Sequence, residues 1–108
     1  MVKQGSIILV DFDPQAGHEQ KGRRPALVIS NDLFNRYSEM AILCPITNTD
    51  KNHPLHIKLN EKIKTNGVIL CDQVKTMDIK VRNFKYLESI PEDILEAVLD
   101  TVSSLIEK

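Results

Sequence analysis

The sequence predicts a mainly β protein, an antiparallel sheet or small β-barrel with short helices and one longer helix at the C-terminus. Three observations support this fold class. Six short apolar runs, rich in β-branched residues, alternate with segments that contain Gly, Pro, Asn or Asp. The stretch after Pro91 repeats its apolar residues at helical spacing. The 108 residues also suit one domain, residues 1–108, around a single core.

The six apolar runs are the predicted strands, because each is too short for a stable helix. They cover residues 6–12, 25–30, 40–47, 55–59, 68–74 and 84–90. After the second run, Asn31 and Asp32 are good helix-capping residues, so residues 31–37 are predicted to form a short helix. Residues 49–54 contain Asp, Asn and Pro and are predicted to form a loop.

The C-terminal helix is the most clearly patterned element. Pro91 suits a first helical turn, and Glu92 and Asp93 complement the positive end of the helix dipole. Its apolar residues fall on one stripe, namely Ile94, Leu95, Val98, Leu99, Val102, Leu105 and Ile106. This stripe is predicted to pack on the sheet, with an exposed partner-binding face as the alternative.

The composition is that of an ordinary globular protein, with 42% apolar residues. The sequence contains neither a signal-peptide core nor a membrane-spanning run, which predicts a cytoplasmic protein without membrane contact. Residues 1–90 contain 13 Lys and Arg against 10 Asp and Glu, a weak indication of polyanion binding. Cys44 and Cys71 lie in apolar runs without metal-ligand spacing and are predicted to be buried free thiols.

The loop between the first two runs contains the densest group of reactive side chains. Arg24 offers a planar set of donors to phosphate oxygens and stays charged at any working pH. His18 and Glu19 are candidates for general acid-base chemistry. The alternative is a solvated arginine and an exposed loop histidine without a role in chemistry.

Two strand ends contribute further polar groups. Thr47 ends the third run, where its hydroxyl can hold a substrate oxygen, although a threonine there also fits a simple turn. Asp72 and Gln73 follow a buried run and can lie on the same rim, with a surface hydrogen-bond network as the alternative.

Several other chemistries are excluded by their missing motifs. The chain has no phosphate-binding GxxxxGK[ST] loop, no GxSxG nucleophile elbow and no HExxH zinc motif. His53 and His56 are three residues apart, but the alternation of residues 55–59 predicts that His56 faces solvent. The sequence therefore predicts no metal site and no cofactor.

Taken together, these motifs resemble the MazF/PemK family of toxins from toxin-antitoxin pairs, in order from about residue 5 to residue 106. The segments that carry the resemblance are VDFDP, GHEQ, GRRPALVIS, CPIT and DQVK. The resemblance implies an SH3-like, CcdB/PemK-type barrel that forms a homodimer. It also implies a sequence-specific, metal-independent endoribonuclease that cleaves single-stranded mRNA, is inhibited by a cognate antitoxin and reaches operator DNA only through that antitoxin.

By the same resemblance, Arg24 and Thr47 match the residues at the scissile phosphate, and Glu19 matches the acidic residue of the GHEQ loop. The activity that the resemblance implies would begin with attack of the 2'-hydroxyl on phosphorus. Arg24 and Thr47 would stabilise the phosphorane, and the products would be a 2',3'-cyclic phosphate and a 5'-hydroxyl. The secondary candidates for catalysis or RNA contact are His18, Gln20, Asn48, Asp72 and Gln73. Which of Glu19, His18 and Asp72 acts as the base stays open.

One position departs from part of the family. Some Kid/PemK relatives carry an arginine two residues before the Asp-Gln pair, whereas this chain has Leu70 there. Asp72 is therefore expected to lack an arginine partner, and the arrangement centred on Arg24 and Thr47 is favoured. Two other functions remain as alternatives: a gyrase poison of the CcdB type and a non-catalytic SH3-like binding module.

Overall fold

The computed structural model describes residues 2–12, 17–18 and 22–108. Within these ranges every strand pairing is antiparallel. The strands are β1 (Ser6–Asp11), β2 (Arg23–Val28), β3 (Ala41–Thr47), β4 (His56–Lys58), β5 (Val68–Leu70), β6 (Lys75–Met77) and β7 (Lys85–Ser89). The helices are α1 (Asp32–Ser38), a short 3-10 helix (Ile79–Arg82) and α2 (Glu92–Ser104).

The strands follow the order β4-β5-β3-β2-β1-β7, and β6 pairs separately with β3. Strand β3 takes part in three ladders: residues 41–43 pair with β6, residues 43–45 with β2, and residues 46–47 with β5. The prediction of a mainly antiparallel β fold with a C-terminal helix is confirmed. Among the described strands, however, the pairing path is open at β4 and β7, so the sheet does not close into a complete barrel.

Alternating side chains of the central strands fill two hydrophobic clusters on opposite faces of the sheet, as the period of a strand requires. One cluster contains Val2, Ile8, Val10, Phe12, Ala26, Val28, Ala41, Leu43, Met77 and Ile79. The other contains Ile7, Leu27, Ile29, Cys44, Ile46, Ile69, Cys71, Ile94 and Val98. Since α2 supplies Ile94 and Val98 to the second cluster, this helix covers that face of the sheet.

Both predicted helices are present. Asn31 caps α1, and its side-chain oxygen accepts a hydrogen bond from the Phe34 amide at 2.9 Å. The first turns of α2 pack on the sheet as predicted, whereas Ile106, beyond the helix end, is 86% exposed. Among the described residues, none of the helices is long and apolar enough to span a bilayer.

The two cysteines are free and buried, which confirms the prediction from their apolar surroundings. A hydrogen bond with the Cys71 thiol and burial both raise the pKa of Cys44 far above its ordinary value. The Cys44 thiol therefore stays protonated and unreactive in the folded protein.

Glu88 of β7 ties the segment after β4 to the sheet. Its carboxylate accepts hydrogen bonds from the Lys64 amide at 3.0 Å and from the Thr65 amide and hydroxyl at 2.7 Å each. Partial burial raises the pKa of Glu88, but these hydrogen bonds outweigh burial and hold the pKa below the ordinary value of 4.5.

Replacing Glu88 with glutamine is expected to lower the free energy of unfolding by about 1 kcal/mol at pH 7, because charge-assisted hydrogen bonds are lost. A carboxyl whose pKa is lowered by folding stabilises the protein above its unfolded pKa, so the difference is expected to shrink as the pH falls below about 4. Urea unfolding at pH 7 and pH 3 measures both values. Glu61→Gln, at an exposed position before this segment, is the control. Equal stability of Glu88→Gln and the parent at pH 7 would contradict the assignment.

Candidate active site

A surface groove of about 390 Å³ runs along the ends of β2, β3 and β5 and the start of β4. It brings together five of the eight candidate residues that the sequence singled out. Its lining consists of His18, Arg24, Thr47, Thr49, Lys51, His53, His56, Leu70, Asp72 and Gln73. The lining is more polar than apolar, as expected for a surface that contacts phosphate rather than an apolar ligand.

Arg24 and Thr47 come from neighbouring strands. The antiparallel β2–β3 register pairs Ala26 with Pro45. Continued by two residues toward the groove, the same register places Arg24 opposite Thr47. Arg24 is partly buried, and Thr47 is buried with its hydroxyl oxygen 3.3 Å from the donating Thr49 amide. The pairing of β2 with β3 therefore places the Arg24 guanidinium and the Thr47 hydroxyl at one end of the groove.

The backbone at Thr47 is held from the other side by β5. Thr47 pairs with Val68, and the preceding Gly67 has a φ of +122°, a conformation that favours glycine. A Cβ atom at Gly67 would lie 2.3 Å from the Thr47 carbonyl oxygen. The close approach of the backbone at Gly67 to the backbone at Thr47 therefore fixes the position of Thr47.

His56 is not the solvent-facing residue that the sequence predicted. Its side chain is only 10% exposed, and its Nε2 lies 3.0 Å from Oδ1 of Asp72. The His53 ring stacks on it with the centroids 4.6 Å apart. Alternation identified the strand face of His56 correctly, but the loop before β4 covers that face, so the prediction of exposure is wrong.

This contact also changes the prediction for Asp72, which was expected to lack the arginine partner of some relatives. Leu70, at the position of that arginine, pairs with His56 in the β4–β5 ladder. The imidazole of His56 therefore reaches Asp72 from the neighbouring strand. Asp72 has a partner capable of carrying a proton, but this partner comes from β4 rather than from its own strand.

The remaining candidates fall into three groups. His18 is exposed, and its carbonyl oxygen lies 3.5 Å from the donating Nε2 of Gln73. Asn48 is exposed next to Thr47 but is not part of the groove lining. Glu19 and Gln20 lie outside the described residues, so their predicted roles are not tested by the structure.

His53, His56, Thr49 and Lys51 line the groove although the sequence did not place them there. The spacing of the two histidines suggests a pair of ligands, but the alternation of residues 55–59 predicts a solvent-facing His56. A pairing of the runs around residues 55–59 and 68–74 would have indicated the contact between His56 and Asp72. No signal in the sequence alone fixes that pairing.

The fold and the groove define the class of this protein. It is similar to MazF from Deinococcus radiodurans, with a TM-score of 0.92 and 35% identity over 97% of this chain and 96% of that chain. It is also similar to the structure of the MazE-MazF complex from the same organism, with a TM-score of 0.85 and 35% identity over 97% and 95% of the chains. These similarities confirm the predicted fold class.

Sequence comparison leads to the same family. Residues 3–106 match the PemK-like, MazF-like toxins of type II toxin-antitoxin systems. Endoribonuclease PemK from Escherichia coli is 38% identical over 109 residues, which cover 97% of this chain and 82% of that protein. The chain belongs to the PemK-like, MazF-like toxin family, and the resemblance inferred from its motifs is confirmed.

Proposed function

We propose that this protein is a sequence-specific endoribonuclease toxin that cleaves single-stranded mRNA without a metal ion. The observation that carries the proposal is the convergence of Arg24, Thr47 and the His56–Asp72 pair on one polar groove. Relatives named as endoribonucleases give it independent support. The gyrase-poison and binding-module alternatives do not require these groups to converge.

The first part of the proposed chemistry is charge stabilisation. When the 2'-hydroxyl oxygen attacks the adjacent phosphorus, negative charge builds up on the non-bridging oxygens of a pentacoordinate phosphorane. Arg24 donates hydrogen bonds to these oxygens and neutralises their charge, and the Thr47 hydroxyl donates a further one. Arg24 acts electrostatically, since a guanidinium group keeps its positive charge and is a poor proton donor.

The second part is proton transfer. The bond from O2' to phosphorus forms and the bond from phosphorus to O5' breaks, so one proton leaves the 2'-hydroxyl and another reaches O5'. We assign Asp72, oriented by His56, as the group that accepts the proton of the 2'-hydroxyl. We assign His18, which lines the same groove, as the group that donates a proton to O5'. Glu19 of the GHEQ loop remains the family-based candidate for either transfer. The products are a 2',3'-cyclic phosphate and a 5'-hydroxyl.

The proposed substrate is unpaired RNA, because base edges are readable in single strands and not in the narrow major groove of A-form helices. Gln20, Asn48 and Gln73 are the proposed hydrogen-bond donors and acceptors to bases. Lys51 lines the same groove and suits a backbone phosphate. The source of the substrate, mRNA, implies action in the cytoplasm.

Two protein partners complete the proposal. A cognate antitoxin is expected, as in the related MazE-MazF complex, and an acidic antitoxin segment in the groove would compete with RNA. A second copy of the chain is expected to cover exposed apolar residues between the start of the 3-10 helix and the end of β7. These residues include Val81, Phe84, Tyr86 and Leu87. Analytical ultracentrifugation of the purified toxin gives its mass directly.

The test is incubation of the purified protein with a long unstructured RNA in EDTA, followed by mapping of the cut ends. We expect discrete cuts with 5'-hydroxyl ends, which disappear when the antitoxin is added. Asp72→Asn and His56→Gln are each expected to slow cleavage by about 100-fold, the usual contribution of general acid-base catalysis. Asp100→Asn, on the exposed side of α2, is the matched control.

Intact RNA in the presence of EDTA would reject metal-independent cleavage and favour the alternatives. If Asp72→Asn and His56→Gln cleave as fast as the control variant, the proton-transfer assignment is wrong and Glu19 or His18 takes that role. Circular dichroism of each variant shows whether its fold is preserved, so that loss of activity is not confused with unfolding.

A further inference from the structure

His53, His56 and Asp72 form a cluster of potential metal ligands in the groove. One ligand atom from each residue lies within 4.8 Å of the other two. His53 precedes β4, His56 begins it, and Asp72 follows β5. Two strands and the loop beside them therefore bring two imidazoles and a carboxylate together from distant points of the sequence.

Two imidazoles and a carboxylate are a donor set that binds zinc in proteins, with a fourth position left for water or another ligand. Ligands at ordinary zinc distances lie about 3.4 Å from one another, so the atoms furthest apart need to approach by up to about 1.4 Å, whereas Nε2 of His56 and Oδ1 of Asp72, at 3.0 Å, need to separate slightly. His53 is exposed and lies in a loop, so it can make this adjustment. Its Nδ1 accepts a hydrogen bond from the Leu55 amide at 3.1 Å, which leaves Nε2 for the metal.

A second observation concerns His56 alone. Its side chain is nine-tenths buried, and its Nδ1 has no hydrogen-bond partner among the described residues. Buried polar atoms are normally paired, so the hydrogen bonding of His56 is incomplete at Nδ1, while its Nε2, which contacts Asp72, is the nitrogen that a metal can share with that carboxylate.

We propose that His53, His56 and Asp72 bind one Zn²⁺ ion per chain and that this ion inhibits the protein. Coordination replaces the hydrogen bond between His56 and Asp72 and leaves neither group able to exchange a proton with RNA. The bound ion also occupies the floor of the groove. The inhibitory part rests on the proposed ribonuclease function, whereas the binding part does not.

Zinc binding can be measured without any activity. Tag-free protein is stripped with EDTA, exchanged into chelator-free buffer and titrated with ZnCl₂ against a chromogenic zinc indicator. One equivalent per chain is expected to bind. His53→Ala and His56→Ala are each expected to weaken binding at least about tenfold, whereas His18→Ala, a histidine of the same groove outside the cluster, keeps the parental affinity.

Two results would overturn the binding site: absence of a stoichiometric equivalent, or equal weakening by His53→Ala and His18→Ala. Thermal unfolding of each variant without metal shows that a loss of binding is not a loss of fold. With zinc present, the parent is expected to be more stable, because the ion binds only the folded chain.

The inhibitory part is tested by the ratio of cleavage rates with and without one equivalent of ZnCl₂, measured separately for the parent and for His53→Ala. We expect the parent to cleave at least tenfold more slowly with zinc than without it. His53→Ala is expected to cleave at nearly the same rate in both conditions. Zinc that binds without changing the parental ratio would reject inhibition. If no RNA is cleaved in EDTA while zinc still binds, the proposed ribonuclease function fails and the metal site stands.

Discussion

Replacing Arg24 with alanine is expected to reduce the rate of RNA cleavage by about 100- to 1,000-fold while the protein stays folded. Loss of one preorganised donor to a transition-state oxyanion has effects of this size. The side chain is partly buried at the edge of the groove and outside both hydrophobic clusters, so stability is expected to change little. Single-turnover cleavage of a short RNA that contains one mapped site gives the rate of the chemical step.

The neighbouring arginine provides a matched control. Arg23 lies on the same strand but is not part of the groove lining, and its Nη1 donates to the Asn83 carbonyl oxygen at 2.5 Å. Arg23→Ala is expected to cleave at nearly the parental rate. Arg24→Lys keeps the charge but loses the planar set of donors, so an intermediate rate is expected. Cleavage by Arg24→Ala at the parental rate would remove Arg24 from the mechanism.

Replacing Gly67 with alanine is expected to cost about 3 kcal/mol or more of folding free energy and to slow cleavage as well. The new Cβ would meet the Thr47 carbonyl oxygen at 2.3 Å and the carbonyl carbon at 2.9 Å, and both are backbone atoms that cannot rotate away. The φ of +122° adds strain for any residue with a side chain. Relief of the clash separates β5 from β3 and displaces the Thr47 hydroxyl.

Gly5→Ala separates strain from the clash. Gly5 also has a positive φ, of +88°, but its Cβ would make only an ordinary contact of 3.5 Å with Leu95. This variant is expected to lose about 1–2 kcal/mol and to keep the parental cleavage rate. Urea unfolding and single-turnover cleavage are measured on both variants. Equal rates for Gly67→Ala and the parent would mean that Thr47 is positioned without β5.

Local sequence signals were sufficient for most of the secondary structure. The Asn31 cap and the apolar stripe after Pro91 are features that neighbouring residues determine, and both helices begin within one residue of their predicted starts. Strand β6 is not predicted from the sequence, because Lys75 and Thr76 break the apolar pattern that marks the other strands. Its pairing with β3 is a long-range contact that no local pattern encodes.

Only part of the candidate site could be predicted, because local patterns do not encode the long-range contacts that complete it. Arg24, Thr47 and Asp72 could be singled out because their chemistry and their positions near strand ends are visible along the chain. His56 could not be placed, because its burial depends on the His53 loop and its role depends on the pairing of β4 with β5. Alternation gives the face of a strand but not what covers that face.

Because β3 pairs with β2 through residues 43–45 and with β5 through its last two residues, the groove has two sides that can change independently. Arg24 lies on β2, whereas His56 lies on β4 and Asp72 directly follows β5. Among the described strands, β3 lies between β2 and the β4–β5 hairpin and pairs with both β2 and β5. Insertions or substitutions in the hairpin can therefore reshape that side of the groove without moving the guanidinium of Arg24. Because this side also carries His56 and Asp72, relatives with a changed hairpin are expected to keep Arg24 and Thr47 but to differ in the groups that transfer protons.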